Sequence, residues 1–189
     1  MKKSLAQRIA ESMVPLTDEK ILYSEDEAVT GEYLRYTWNL GVAVSHYKDQ
    51  YRLRLRITKR SKGYSKSELM LFPFSNTKPT ELEEAINRLA KVTAQPTGPE
   101  PDSRGFFDKL LDTIFFMKVL RDINPAIPPF EGFKGLARVY KQGSGRDVYF
   151  HMWYPKSHGG RHQIVVIPLQ FWDPMVDAIR KAKRELESR

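Results

Sequence analysis

The sequence predicts an α+β fold made of two related units, each an antiparallel β-sheet followed by a helix. Three observations lead to this fold class. Long stretches alternate apolar and polar residues with a period of two, which is typical of half-buried antiparallel strands. Other segments repeat apolar residues at helical spacing. The order strand, strand, basic loop, strand, helix also occurs twice along the chain.

The composition indicates a folded, basic protein. The chain has 189 residues, with 31 Lys and Arg against 23 Asp and Glu, a net charge of +8. This length suits one domain or two small ones, and a basic balance points most often to nucleic acid as the partner. The absence of cysteine excludes disulfides and thiolate chemistry. No apolar run is long enough to span a membrane, so we expect an intracellular protein of the cytoplasm and nucleoid, or of the nucleus, without a membrane partner.

Residues 1–30 are predicted to form an N-terminal helix and an acidic arm. Leu5, Ile9 and Met13 have helical spacing, and Pro15 ends the helix. Residues 18–27 are mostly acidic, which favours a loop. This arm is either a solvated tether or a competitor for a basic binding surface.

The first sheet-plus-helix unit is predicted over residues 31–94. Strands are expected between residues 33 and 74, with a turn at Gly41. Residues 51–60 alternate strictly, which places leucines on one face and arginines on the other. A helix is expected to follow, with Thr77 as its N-cap and its end near Thr93.

A Pro-rich linker and an apolar helix are predicted over residues 95–129, and the second unit over residues 130–189. The apolar helix covers residues 104–122 and would join the two units. Strands are expected at residues 135–141, 148–154 and 163–167. The final helix begins at Asp173 and Pro174, a favourable pair for a helix start. One compact domain over residues 1–189 is the alternative division.

The two predicted units correspond segment by segment. Residues 51–57 match residues 148–154, and residues 68–73 match residues 163–168. Duplication would make the chain a monomeric pseudo-dimer, with a homodimer as the other arrangement. The alternative is that two ordinary sheet-and-helix units resemble each other by coincidence.

The second unit resembles a known family. Residues 147–154, a loop, and residues 161–172 with the helix that follows look like the positive-cofactor-four coactivator family. The resemblance implies a curved four-stranded sheet and a helix that opens at Leu169-Gln170-Phe171-Trp172. Two such copies in one chain are similar in plan to Whirly-type and PUR-repeat proteins. That resemblance implies binding of single-stranded DNA or RNA on a sheet face.

Arg52, Arg54 and Arg56 share the polar face of one predicted strand. Three neighbouring guanidinium groups repel one another, and burying them without partners is costly. A row of phosphates would satisfy all three. The alternative is a solvated face whose arginines pair with acids on adjacent strands.

The basic loop after this strand is the second candidate for phosphate contact. It carries four cations and one aromatic ring, and its counterpart in the second unit carries two cations. An ordinary soluble loop is the alternative interpretation. The candidate residues are Lys59, Arg60, Lys62, Tyr64 and Lys66, with Lys156 and Arg161 as their counterparts.

Tyr149, His151 and Trp153 lie on the polar side of a predicted strand, where aromatic residues are unexpected. Bases stack on such rings. The alternative is that the apolar helix covers this face and makes it part of the core. His151, His158 and His162 are not expected to hold a metal, because no cysteine or carboxylate lies near them in the sequence.

These observations favour a non-enzymatic, largely sequence-independent single-stranded DNA-binding protein without a cofactor. RNA is the alternative ligand. A protein-interaction or assembly module, using the apolar helix, is the competing class. An enzyme is disfavoured because the sequence shows no phosphate-binding glycine loop, no nucleophile signature and no persuasive carboxylate pair.

Overall fold

The computed structural model describes residues 19–48, 50–75, 80–93, 106, 109–110, 117–142 and 145–188. These residues form two antiparallel four-stranded sheets, and each sheet is followed by a helix. The prediction of two antiparallel sheets, each followed by a helix, is therefore confirmed. Unit 1 contains the described residues up to Ser75 and those from Lys181 onward, and unit 2 contains those from Thr80 to Arg180.

Each sheet is an up-and-down meander whose strand order follows the chain. Sheet 1 consists of β1 (Lys20–Tyr33), β2 (Tyr36–Tyr47), β3 (Gln50–Ser61) and β4 (Tyr64–Ser75). Sheet 2 consists of β5 (Met117–Phe130), β6 (Phe133–Gln142), β7 (Gly145–Trp153) and β8 (His162–Pro168). The helices are α1 (Thr80–Ala90) and α2 (Trp172–Glu187), and short 3-10 turns occupy Lys156–His158 and Leu169–Phe171. None of the described helices is long and apolar enough to cross a membrane.

The inner face of sheet 1 is the apolar face that the alternation of β3 predicts. Leu53 lies opposite Val44 of β2 and Phe72 of β4, and all three are buried. Leu55 and Ile57 continue this face along β3. The alternate residues of β3 lie on the opposite face, as the sequence predicts, but Arg52, Arg54 and Thr58 on that face are buried as well, so the strand is not half-buried.

The predicted loop at residues 18–27 is wrong from Lys20 onward, because those residues belong to β1. β1 is an edge strand whose pairing with β2 is interrupted between Ile21 and Tyr23 and between Glu25 and Val29. Charged residues and bulges are common on edge strands, where they discourage pairing with other chains. This explains why an acidic, irregular sequence forms a strand here.

The predicted turn at Gly41 is also wrong. Gly41 lies within β2, which runs without a break from Tyr36 to Tyr47. A Cβ atom at Gly41 would lie 2.9 Å from the carbonyl oxygen of Asp26, in the irregular part of β1. Glycine is therefore needed for the close approach of two backbones.

We expect Gly41→Ala to lower the free energy of unfolding by about 1–3 kcal/mol, the usual cost of overpacking. The contact is with backbone, so relief requires a shift of β1 rather than a side-chain rotation. Urea unfolding measures the change. A variant as stable as the parent would contradict the close approach of β1 to Gly41.

In unit 2, α1 packs on β5 through its buried apolar stripe. Its last turn meets the start of α2, where the Trp172 indole donates a hydrogen bond to the Leu89 carbonyl oxygen at 2.9 Å. The Trp172 ring also meets Phe150 of β7 edge-on, with centroids 5.7 Å apart. The predicted boundary at residue 94 groups α1 with the first sheet, whereas in the structure its apolar stripe lies against β5.

The predicted apolar helix over residues 104–122 is wrong at its C-terminal end, where Val119 and Leu120 belong to β5. β5 also includes the prolines of the predicted connector, Pro125, Pro128 and Pro129. Proline is tolerated there because β5 is an edge strand, which among the described strands pairs with β6 alone. Residues 106, 109 and 110 are helical, while 107–108 and 111–116 lie outside the described residues, as do the predicted N-terminal helix and Thr77.

In unit 1, the part of α2 from Lys181 onward is joined to β1 by an ion pair on the surface. The Lys181 ammonium lies 2.9 Å from Oε2 of Glu25, which also accepts a hydrogen bond from the Tyr23 hydroxyl. The Tyr23 hydrogen bond, followed by that of Lys181, lowers the pKa of Glu25 below its ordinary value of 4.5. The Glu25 carboxylate therefore stabilises the folded state in its charged form.

This arrangement predicts a pH-dependent stability difference between the parent and Glu25→Gln. A carboxyl group with a lowered pKa in the folded state contributes stability that is present above its unfolded pKa. That stability is lost as the pH falls through its folded pKa. The parent should therefore be more stable at neutral pH, and the difference should fade in acid. Urea unfolding at a series of pH values measures it, and a difference that does not depend on pH would contradict the account.

Candidate nucleic-acid interface

The outer face of sheet 2 carries a group of exposed rings and apolar side chains. Along β7, Val148, Phe150 and Met152 are buried on the inner face, while Tyr149, His151 and Trp153 alternate with them. The register places His162 of β8 opposite Trp153 and Ile164 opposite His151. We call the group formed by His151, Trp153, His162 and Ile164 the outer aromatic surface.

The three rings of this surface lie nearly parallel to one another. Trp153 and His162 have centroids 4.5 Å apart and an interplanar angle of 6°. His151 is 5.3 Å from His162 and 5.8 Å from Trp153, with angles of 19° and 17°. The Nδ1 atom of His151 also lies 3.2 Å from Nε2 of His162, so one ring nitrogen donates and the other accepts. Stacking and this hydrogen bond hold the rings in one orientation.

Part of the outer aromatic surface faces solvent. Trp153 is 37% exposed and Ile164 is 45% exposed. The burial alternative thus does not hold for Trp153, whereas His151 and Tyr149 are half-buried. Tyr149 packs edge-on against Tyr140 at a centroid distance of 4.7 Å. Burial, and after it the nearby Asp147 carboxylate, raise the pKa of Tyr149, which keeps its hydroxyl neutral.

One exposed cation lies beside these rings, and two more lie on the connection that follows β7. Lys134 of β6 lies directly opposite Trp153 and is exposed. Lys156 and Arg161, both predicted from the sequence, are exposed on the connection between β7 and β8. The Arg161 guanidinium lies 4.6 Å from the centroid of the Tyr154 ring. The outer aromatic surface therefore combines a partly exposed indole ring with a neighbouring positive charge at Lys134.

The arginine row of β3 has acid partners in the structure. Arg52 and Arg54 are each only 7% exposed. The fully buried Glu19 carboxylate, just before β1, forms an ion pair with Arg54 and lies 3.8 Å from Arg52. Arg56 lies 3.1 Å from the Asp26 carboxylate and donates to the Asp26 carbonyl oxygen. The row differs from the solvated alternative, because Arg52 and Arg54 are buried. Their acid precedes β1, which neighbours β2 and not β3 in the described sheet. A buried guanidinium needs such a counter-charge.

The basic loop lies at the turn between β3 and β4. The Lys59 ammonium is 4.5 Å from the Tyr36 ring centroid and 5.4 Å from that of Trp38. Lys66 pairs with Glu68 at 2.8 Å, and that carboxylate raises the pKa of Lys66. Arg60 is exposed. A shallow pocket of about 440 Å³ is lined by Arg35, Tyr36, Ser61, Lys62 and Tyr64, and we call it the turn-end pocket.

The structure thus brings the predicted residues together in two separate groups. Tyr149, His151, Trp153, Lys156 and Arg161 belong to unit 2, and the basic loop and the arginine row belong to unit 1. His162, Lys134 and Arg35 are not among the binding residues that the sequence predicts. The only signal for His162 and Lys134 is the strand register, which places both opposite Trp153.

Comparisons with known proteins give only weak structural similarity. No protein-family model matches the chain, and no curated protein sequence matches it. Among solved structures, the chain is similar to the Whirly protein WHY3 from Arabidopsis thaliana, with a TM-score of 0.34 and 11% identity over 84% of this chain and 87% of that one. WHY1 from Arabidopsis thaliana gives a TM-score of 0.34 and 9% identity, covering 92% and 88%. The plant transcriptional regulator PBF-2 gives 0.32 and 9%, covering 88% and 81%.

Proposed function

We propose that this chain is a non-enzymatic protein that binds single-stranded nucleic acid, with DNA as its first candidate ligand. In this proposal, unpaired bases stack on the outer aromatic surface and phosphates contact Lys134, Lys156 and Arg161. The observation that carries the proposal is the parallel arrangement of Trp153 and His162, with Trp153 partly open to solvent. In a hydrophobic core these rings would be fully buried. On an ordinary solvent-exposed face we would not expect three aromatic rings to stack in parallel.

The arrangement favours single strands over duplex because stacking requires an accessible base face. In a duplex, neighbouring base pairs cover those faces. Each base that stacks on an aromatic side chain contributes about 1–3 kcal/mol, and every base offers a ring face. Binding should therefore depend little on sequence.

The charge of the protein supports the same ligand. The net charge is +8, and the cations next to Trp153 supply contacts to the phosphate backbone. Binding to single strands then weakens with salt, with a log–log slope of about 0.7 for each neutralised phosphate. RNA is the alternative ligand, because stacking and phosphate contacts use features that both polymers share, while discrimination requires contact with the 2′-hydroxyl.

The test is fluorescence anisotropy with labelled single-stranded DNA, single-stranded RNA and duplex DNA of equal length, at low and moderate salt. We expect both single strands to bind more tightly than the duplex, and the affinity to fall as salt rises. Absence of binding at low salt would overturn the proposal. That outcome would favour the assembly module, for which the exposed Phe106 and Leu110 are the first candidates.

A further inference from the structure

The turn-end pocket of unit 1 has the features of a binding site for a small planar anion. Two tight turns form it, and each contains a residue with a left-handed backbone: Leu34 with φ 56° between β1 and β2, and Gly63 with φ 74° between β3 and β4. Positive φ values are usual in two-residue hairpin turns, and these two turns place Arg35 and Lys62 at the pocket. The pocket is open to solvent and has a volume of about 440 Å³.

The two tyrosines of the pocket differ in accessibility. Tyr36 has Lys59 above its ring, and the Arg35 guanidinium lies 5.4 Å from its centroid. Arg35 Nε also donates to the Tyr36 hydroxyl at 3.3 Å. Tyr64 meets Tyr36 edge-on, with centroids 5.9 Å apart, and is 44% exposed. Tyr64 is therefore the ring that can accept a stacked partner, and Tyr36 is the ring that positions the cations.

We propose that the turn-end pocket holds one nucleotide of the bound single strand, with its base on Tyr64 and its phosphate between Arg35 and Lys62. The inference rests on the proposed function and adds a nucleotide subsite in unit 1. A nucleotide is the ligand class that joins a planar ring to an anion. Arg35 presents several N–H donors in a planar fork, which suits phosphate oxygens. Lys59 and Arg60 add positive charge beside the pocket, which further favours an anionic ligand.

The test separates stacking from charge by measuring the affinity and its salt dependence for a labelled 12-nucleotide oligothymidylate. Tyr64→Ala should weaken binding roughly tenfold and leave the salt slope unchanged. Arg35→Ala combined with Lys62→Ala should lower the log–log slope by about 0.7, which is the value for the one phosphate that both residues contact. Both effects come from exposed residues at a turn, so the fold is preserved.

Lys48→Ala is the matched control. Lys48 is also an exposed cation, 5.3 Å from a tyrosine ring centroid, but it lies at the opposite end of sheet 1, next to the turn between β2 and β3. We expect it to change neither the affinity nor the slope. Parent-like binding by Tyr64→Ala would overturn the subsite. A salt slope lowered as much by Lys48→Ala as by the double variant of Arg35 and Lys62 would also overturn it. If the subsite fails in either way but Trp153→Ala still weakens binding, the proposed function stands. If the parent protein does not bind at all, the subsite and the proposed function are both wrong.

Discussion

Replacing Glu19 with glutamine is expected to lower the free energy of unfolding by about 3 kcal/mol, because the change leaves buried arginines without their counter-charge. The Glu19 carboxylate has no exposed surface and pairs with Arg54, while Arg52 lies 3.8 Å away. The glutamine side chain has nearly the same shape, so the loss comes from charge rather than from a cavity. Urea unfolding followed by circular dichroism measures it.

Glu68→Gln is the control for the Glu19 experiment. Glu68 also pairs with a cation in sheet 1, at 2.8 Å from Lys66, but the ammonium of that pair is exposed. Exposed pairs contribute about 0–1 kcal/mol, so this variant should lose little stability. If Glu19→Gln lowers the free energy of unfolding as little as Glu68→Gln does, the arginine row does not depend on Glu19.

Replacing Trp153 with alanine is expected to weaken binding of single-stranded DNA by roughly five- to 150-fold, which corresponds to roughly 1–3 kcal/mol for one stacked base. Trp153 and His162 lie within 4.5 Å of each other, centroid to centroid, and present aligned rings. Removing the indole therefore removes the largest ring and the partner of His162. Fluorescence anisotropy at fixed low salt measures the change.

Two further variants show whether the Trp153 effect comes from stacking. Trp153→Phe keeps an aromatic ring and should retain most of the affinity. Ile164→Ala removes an equally exposed apolar side chain from the same surface without removing a ring, so it should have a smaller effect than Trp153→Ala. If all three variants bind like the parent, the outer aromatic surface does not bind bases.

Strands with regular alternation could be predicted from the sequence, and edge strands could not. β3 and β7 are inner strands, and in each of them every second residue is apolar and buried. β1 and β5 are edge strands with irregular pairing, so acids and prolines are tolerated in them. From local sequence alone, the acids of β1 predict a loop and the prolines of β5 predict a connector. The start of β5 continues an apolar run, which predicts a helix instead.

The candidate site could be predicted only in part, for a similar reason. Period-two alternation correctly places Tyr149, His151 and Trp153 on the outer face of β7. The partners come from other strands, and only the register reveals them. Glu19 is 35 residues from Arg54 in the sequence, so the pairing of the arginine row cannot be read from local pattern. His162 stands at the first position of β8, where alternation has not yet begun.

The acid partners of the arginine row change its expected role. The arginine row of sheet 1 is paired with acids, so Arg52 and Arg54 stabilise the fold rather than present charge to a ligand. Substituting them is expected to lower stability first, and a loss of binding would then follow from unfolding. The exposed cations at the turn end and around Trp153 are the better targets for salt-dependence measurements.

The most direct test of stacking is the fluorescence of Trp153 during a titration with single-stranded DNA at low salt. The chain has three tryptophans, and Trp38 and Trp172 are buried, so quenching by a stacked base reports mainly on Trp153. The account predicts quenching that saturates together with the anisotropy of the labelled strand and that is largely lost in Trp153→Phe. Binding seen by anisotropy without any change in tryptophan fluorescence would contradict it.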